Sequence, residues 1–315
     1  SYRNGEDSKD IHGEDRDFRW RWGNLIGSAG WNYLINRKLF ATFTGGYTRY
    51  RSHIIQKQNA FVSSPDKNGQ VYFQEGHYRS AMEDVNLRAS FDYRPNVDHR
   101  IRMGSDYLFH LFRPEQSNMS SWYKDSVVSQ MNNTVFSHSL IHGHEVSLYA
   151  EDEMLLTDRL RVNAGLRFTL FHVQGETYQS FQPRFSTRYL LGRNLSAKVS
   201  YTKMNQYIHL LSNSYISQPT DIWVPVTGNI RPMHAHQVTS GLFWHYKELD
   251  FSVEGYYKRM NNLVEYKDNG PVLPSFTGWE DRVGVGKGRS YGLELMVQKK
   301  TGRFNGWIGY TLSWS

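Results

Sequence analysis

The sequence predicts an all-β fold: a transmembrane, antiparallel, up-and-down β-barrel wall of about twelve strands. Three observations carry that expectation. Apolar and polar residues alternate with period two over long stretches. Short turns and long polar connections take turns along the chain. Aromatic residues make up 15% of the 315 residues, with 21 Tyr and 9 Trp. A strand points successive side chains to opposite faces. Val85, Leu87, Ala89, Phe91 and Tyr93 therefore share one face, and Asp84, Asn86, Arg88, Ser90 and Asp92 share the other. Leu160, Val162, Ala164, Leu166, Phe168 and Leu170 repeat the pattern against Arg161, Asn163, Gly165, Arg167 and Thr169. Such two-sided strands suit a wall with lipid outside and a wet lumen inside, and barrels concentrate Tyr and Trp at the two membrane interfaces.

In chain order, strands are expected at 18–34, 39–53, 80–94, 99–113, 144–157, 160–172, 181–191, 195–206, 235–247, 250–260, 289–300 and 305–315. Turn-forming residues join them in pairs: Asn36-Arg37-Lys38, Pro95-Asn96-Val97-Asp98, Thr157-Asp158-Arg159, Gly192-Arg193-Asn194, Lys247-Glu248-Leu249 and Thr301-Gly302-Arg303. Between the pairs, long loops are expected at 54–79, 114–143, 207–234 and 261–288, with a shorter one at 173–180. This asymmetry is that of an outer-membrane barrel, with short periplasmic turns and long external loops. A membrane-crossing strand needs about 9–11 residues, against about 5–6 for a globular strand. Tyr149-Ala150-Glu151-Asp152-Glu153 places acids on both faces, so the fifth strand is expected to leave the bilayer early, near its periplasmic turn.

Composition narrows the function. The absence of Cys excludes zinc ribbons, disulfide scaffolds and thiol catalysis. The net charge is +7, but Lys and Arg are spread over strands and turns rather than gathered in a patch, which argues against nucleic acid. Mean hydropathy is −0.64, and no run reaches the ~18 apolar residues of a transmembrane helix; neither fact bears on a barrel, in which half of each strand is polar. No signal peptide opens the chain, which begins Ser1-Tyr2-Arg3-Asn4. Either a signal was removed or the chain is internal to a longer one.

Several stretches carry a family resemblance. They are Gly165-Leu166-Arg167 after the acidic strand, Gln182-Pro183-Arg184-Phe185-Ser186, and the run Ser200-Tyr201-Thr202-Lys203-Met204-Asn205-Gln206-Tyr207-Ile208-His209-Leu210-Leu211-Ser212-Asn213. Pro219-Thr220-Asp221-Ile222-Trp223-Val224-Pro225, Asn229-Ile230-Arg231-Pro232, Tyr256-Tyr257-Lys258-Arg259-Met260-Asn261-Asn262-Leu263 and Tyr291-Gly292-Leu293-Glu294-Leu295 follow in order. Together they resemble the barrel of a TonB-dependent outer-membrane receptor, of the subgroup with a carboxypeptidase-regulatory-like domain before its plug. The likeness is strong over 145–315 and looser over 17–113. It implies one partial barrel domain over 1–315, part of a barrel of about 22 strands, without plug or TonB box. It further implies a Gram-negative outer-membrane location and active uptake of a scarce nutrient: a siderophore, haem, glycan or peptide. The implied partners are outer-membrane lipid, the small nutrient ligand, the TonB complex through the missing plug and TonB box, and a surface lipoprotein.

The residues themselves offer little chemistry beside this. His142-Gly143-His144 and His234-Ala235-His236 each put two rings on one strand face, with Glu145 beside the first pair. Both pairs sit where a loop meets a strand, so no metal or cofactor is assigned. Asp84, Asp92, Asp106 and Glu254 alternate with Arg88, Arg102 and Lys258 as a hydrated lumen wall does, and Arg88, Asp106, Arg167 and Lys198 are expected to line a path. No catalytic set stands out. Trp223 and Trp279 fall in expected loops, where an exposed ring stacks on a sugar, peptide or haem; they are the candidate ligand contacts. Phe18, Trp20 and Trp22 share one face of the first strand and suit an interfacial girdle or loop-side packing. Two rival classes make different structural demands. A complete twelve-stranded channel or lipase needs a ladder between first and last strands, and a soluble carbohydrate-binding β-protein needs an outer face without an apolar band.

Overall fold

A computed structural model describes residues 11–64, 67–124, 129–137, 140–212, 221–267 and 278–315. Its strands are β1 (Ile11–Asn36), β2 (Leu39–Ser64), β3 (Lys67–Tyr93), β4 (His99–Lys124), β5 (Ser129–Ser137), β6 (Ile141–Thr157), β7 (Leu160–Val173) and β8 (Glu176–Leu190). They continue as β9 (Leu195–Gln206), β10 (Ile208–Leu211), β11 (Ile222–Pro225), β12 (Met233–Tyr246), β13 (Leu249–Tyr266), β14 (Val283–Lys299) and β15 (Gly306–Trp314). Thirteen strands form one antiparallel sheet in the order β1-β2-β3-β4-β6-β7-β8-β9-β12-β13-β14-β15, with β5 on the upper part of β4, while β10 and β11 form a separate two-stranded sheet. Each expected strand has its counterpart in that order. Among the described residues β1 pairs only with β2 and β15 only with β14. Among the described residues, the ladder that a closed twelve-stranded barrel requires does not form.

Local chemistry sets the short turns. The Asn36 side chain accepts from Lys38 N at 2.8 Å, Asn96 accepts from Asp98 N and His99 N at 3.0 Å each, and Thr157 accepts from Leu160 N at 3.0 Å. Lys247 and Gly302 take positive φ, 53° and 99°. Such side chains replace the backbone bonds that the reversal removes.

The connections on the other side depart from expectation. The segment 54–79 is not a long loop. The hairpin of β2 and β3 keeps its ladder up to Val62↔Gln70; side chains 61–70 and residues 65–66 lie outside the described parts. The segment 114–143 likewise continues β4 and adds β5. The connection at 173–180 closes in two residues, Gln174 and Gly175, with φ of 48° and 85°, the positive pair of a type I′ hairpin turn. Among the described residues, only parts of 207–234 and 261–288 leave the wall; within these, 213–220 and 268–277 are not described.

The sheet is polar inside and apolar outside. Leu148 is 55% exposed while its neighbour Ser147 is fully buried. Val85, Leu87, Leu166, Val199, Val238, Leu242 and Val253 are exposed; Asp106, His110, Thr169, Ser180 and Gln182 are buried. A water-soluble protein has the reverse arrangement, and this one places lipid outside. On β3 the apolar outer stretch 85–93 rises roughly 20 Å at about 3.4 Å per residue and about 40° of tilt, close to the ~25 Å band of outer-membrane barrels. At its upper end the outward residue is Glu83, bonded to Tyr47 Oη at 2.7 Å and Arg113 Nη1 at 2.5 Å. Aromatic rows mark the interfaces: Tyr257, Tyr291 and Trp314 stack across β13, β14 and β15, and Trp244 stacks on Phe251 at the short-turn end. The acids of β6 separate by face. Glu151 and Glu153 pair with Arg102 and Arg161, while Asp152, facing the other way, pairs with His99 beside the turn at 2.7 Å.

Candidate functional site

The inner face of the sheet carries a polar belt. Period-two alternation on β3, β4, β6 and β7 turns Arg88, Asp106, Glu145 and Arg167 to the same side, and the register places Arg88 opposite Asp106. Arg88 Nε donates to Asp106 Oδ1 at 2.6 Å and Arg167 Nη1 to Asp106 Oδ2 at 2.8 Å. Arg167 Nη2 lies 3.9 Å from Glu145. From Asp106 the belt continues across the wall through hydroxyls and an amide. Ser147 Oγ and Thr169 Oγ1 are 2.9 Å apart, and Gln182 Nε2 donates to Thr169 at 3.2 Å and to Ser180 at 3.0 Å. Tyr207 Oη then donates to Ser180 Oγ at 2.6 Å. Tyr207 belongs to the segment that follows β9, so the network ties the wall to what covers it.

That cover is the small sheet of β10 and β11. Four-residue strands alternate here as well: Tyr207, His209 and Leu211 from one side and Ile222, Val224 and Val226 from the other are all buried. Val226 N donates to Tyr207 O at 2.8 Å, and a turn from Thr227 to Ile230 closes the unit. Two apolar clusters hold it. One joins Leu211, Ile222, Val224 and Ile230 to Ile54 of β2, Tyr78 of β3, Trp279 and Val283 of β14. The other joins Tyr207 and Val226 to Phe112, Ile141, Phe171 and Val173. Strands near both edges of the sheet thus meet one cap, which fixes the concave face as the lumen.

A buried ion pair fastens the cap's rim. Arg282, at the end of the 3-10 turn Trp279–Arg282, pairs with Glu115 of β4; their side chains are 2% and 1% exposed. Glu115 faces inward because the register shifts between Arg79/Gln116 and Ala81/Arg113, so that β4 holds an extra residue. Such a bulge re-aims a strand's side chains. Asn229 Nδ2 donates to Glu280 Oε2 at 2.7 Å, and Asn262 Nδ2 donates to Pro232 O at 2.9 Å, at the same rim. His209, packed in the cap, is buried with Nε2 unpartnered among the described residues. Burial lowers its pKa to about 4, because an imidazolium cannot be solvated there.

The sequence-derived candidates separate on this geometry. Arg88, Asp106 and Arg167 come together; Lys198 does not join them and instead lies 3.9 Å over the Phe243 ring. Trp223 is half-buried on β11, opposite Leu210 on the face turned away from the wall. Trp279 is no exposed loop ring: it is 3% exposed, packed in the apolar cluster beneath the cap. Trp20 and Trp22 share the inward face with buried Ser52 and Ile54, and Trp20 Nε1 donates to Ser52 Oγ at 3.2 Å. Their inward face excludes a lipid-facing girdle, and both rings remain exposed. His142 and His144 face outward against Phe109 while Glu145 faces inward, so that trio cannot converge; His234 and His236 bond Asn261 and Tyr201. Among the described residues no group of three metal-ligating side chains forms. Glu115, Arg282 and His209 were not among the expected site residues. Only His209 left a signal, the alternation Tyr207-His209-Leu211.

The family model for the TonB-dependent receptor-like β-barrel matches residues 1–315. The chain belongs to that family. It is an outer-membrane β-barrel protein, as the inverted polarity of its sheet requires. A comparison with curated proteins found no match. Among solved structures, the copper transporter OprC is similar at 12% identity and a TM-score of 0.52, over 93% of this chain and 53% of that one. The FrpB iron transporter from Neisseria meningitidis is similar at 11% identity and 0.55, over 93% and 51%. The RagAB peptide transporter is similar at 12% identity and 0.57, over 95% and 37%. These likenesses concern the fold. The chain spans about half the length of the first two structures.

Proposed function

We propose that this chain is barrel wall and cap of a TonB-dependent importer that takes up a scarce nutrient across the outer membrane. The observation that supports it best is the continuous polar belt from Arg88 through Asp106, Arg167 and Gln182 to Tyr207. It offers a polar cargo exchangeable hydrogen bonds along the wall and links them to a cap that covers the lumen. A wall that served only as scaffold would not need a carboxylate buried as deeply as that of Asp106, where desolvation is costly. The free edges of β1 and β15 would pair with further strands of the same receptor, since unpaired backbone groups in lipid cost several kcal/mol each. The plug and the TonB-complex contact would come from the rest of that receptor. The half-buried Trp223 would be the cap ring that meets cargo, while Trp279, packed in the apolar cluster beneath the cap, would support the cap.

Cargo class follows from the donors and acceptors: a polar, hydrogen-bonding molecule such as a siderophore, glycan or peptide. The test is energised uptake by cells carrying the full-length receptor, challenged with a panel of these classes. Growth or accumulation on one class, lost in a TonB-deficient strain, is the expected result. Uptake that survives loss of TonB would sink the proposal and favour a passive channel.

A further inference from the structure

Above the bilayer the two faces of β1–β5 carry different chemistry. Outward, the strands hold Asp17, Arg19, Arg21, Lys57, Glu75 and Arg79. Inward, the ladders set rows that rise from Trp20–Ile54–Tyr78–Ser117, on which the cap rests, to Phe18–Gln56–Gly76–Met119–Thr134. Above these come Arg16–Gln58–Gln74–Ser121–Asn132 and then Glu14–Ala60–Tyr72–Tyr123–Gln130. Arg16 and Glu14 are the only charged side chains in these rows, and they pair with each other at 2.7 Å. Amides, hydroxyls and rings make up most of the rest.

Three rings run down the lumen side of β1. Phe18, Trp20 and Trp22 stand about 7 Å apart along the strand, at ~3.4 Å per residue. They are 44%, 42% and 60% exposed, so their faces are open to a ligand. The Trp20 bond to Ser52 holds that ring in place. Phe18 lies one row above the cap's footing and Trp22 one row below it, so the rings pass the level of the cap. Beside them Gly76 leaves a recess, since only Gln56 O, at 3.9 Å, stands near the place of a Cβ. Gln74 Nε2 donates to the Met119 thioether at 3.0 Å, a weak acceptor that a ligand hydroxyl can replace. An amide offers a donor and an acceptor side by side, which suits the neighbouring hydroxyls of a sugar, and an aromatic ring covers the apolar face of a pyranose. A charged cargo would lose water on this wall and gain no counter-charge.

We infer that the inner face of β1–β5 above the cap captures a neutral oligosaccharide, with pyranose faces on Phe18, Trp20 and Trp22 and hydroxyls on Gln56, Gln74 and Ser121. The cargo class rests on the importer function proposed for the chain. The full-length receptor, purified in an amine-oxide detergent that has no sugar headgroup, is titrated calorimetrically with linear neutral hexasaccharides of glucose, mannose and xylose. A hexasaccharide of galacturonic acid is the charged probe. At least one neutral hexasaccharide is expected to bind, and the uronate about tenfold more weakly or not at all. Trp20→Ala/Trp22→Ala is expected to weaken the bound sugar about tenfold, and Gln56→Ala/Gln74→Ala several-fold. Arg21→Gln/Arg79→Gln, on the outer face of the same strands, leaves binding unchanged. Heat-shifted gel migration shows that each variant has folded, and the amide variant alone decides if the ring variant does not fold. Binding in detergent needs neither TonB nor energy, so a sugar that binds but enters cells without TonB would count against the importer and not against the capture site. No neutral hexasaccharide bound, the uronate bound as tightly, full retention by the folded inner-face variants, or an equal loss in the outer-face variant would each overturn the inference.

Discussion

Two arginine–carboxylate clusters occupy the same lumen at two heights, and they differ in their exposure to water. In the belt, Asp106 is 2% exposed but Arg88 is 59% exposed and Arg167 is 24% exposed. At the rim, both Arg282 and Glu115 are sealed. The belt keeps its cations solvated, so its members can exchange partners at little cost. The rim pair is cut off from water, and its attraction must offset that loss. The belt is therefore built to handle a passing polar molecule. The rim is built to hold a shape.

The difference is largest when one charge is removed. Arg282→Met leaves the Glu115 carboxylate sealed without this cation, a change that costs about 3–5 kcal/mol in buried pairs. The loss is expected to appear as undocking of the cap: amide exchange and protease cleavage in 207–230 rise steeply while the barrel strands stay protected. Replacing both partners, Glu115→Met with Arg282→Met, restores most of the protection. Protection unchanged in the single variant would show that the pair is ornamental to the cap.

Acid reaches the cap by a second route. His209 is held neutral, with its folded pKa lowered from the ordinary 6.5 to about 4. The undocked cap therefore binds the extra proton first. Docking is at full strength above about pH 6.5, weakens as pH falls from there to about 4, and weakens no further below. The whole shift corresponds to about 3 kcal/mol. Cap protection followed from pH 7 to pH 4.5 should decline accordingly, and His209→Asn should flatten the decline. An equal decline in that variant would assign the effect to other groups.

Where one face meets lipid and the other water, the sequence was easy to read. Alternation is forced on 85–93 and 160–170, and the turns announce themselves through Asn36, Asn96 and Thr157. Above the bilayer that force ends. On 54–60 and 71–79 apolar residues such as Ile54 and Tyr78 are buried against the cap on one face, polar residues stand among them on both, and the extended hairpin looked like loop. For the same reason the sequence left Trp20 and Trp22 open between an interfacial girdle and loop-side packing: period shows that they share a face, not which one. The cap was harder still. Its strands span four residues each, and Glu115 and Arg282 stand 167 positions apart, a pairing that no local pattern encodes. The belt fared better, because Arg88, Asp106 and Arg167 each sit on a clearly alternating strand.

Within the belt the contrast sharpens to single residues. Asp106→Asn removes the buried charge that two arginines share and should cost about 1–3 kcal/mol, read from urea unfolding of the receptor in lipid. Arg88→Gln removes the solvated partner and should change stability by less than about 1 kcal/mol. Yet Arg88 is the cation most open to the lumen, so a cargo would meet it first. Its substitution is expected to lower uptake while leaving the unfolding midpoint nearly unchanged. A midpoint that falls as far as for Asp106→Asn would mean that the belt, like the rim, is there to hold the wall together.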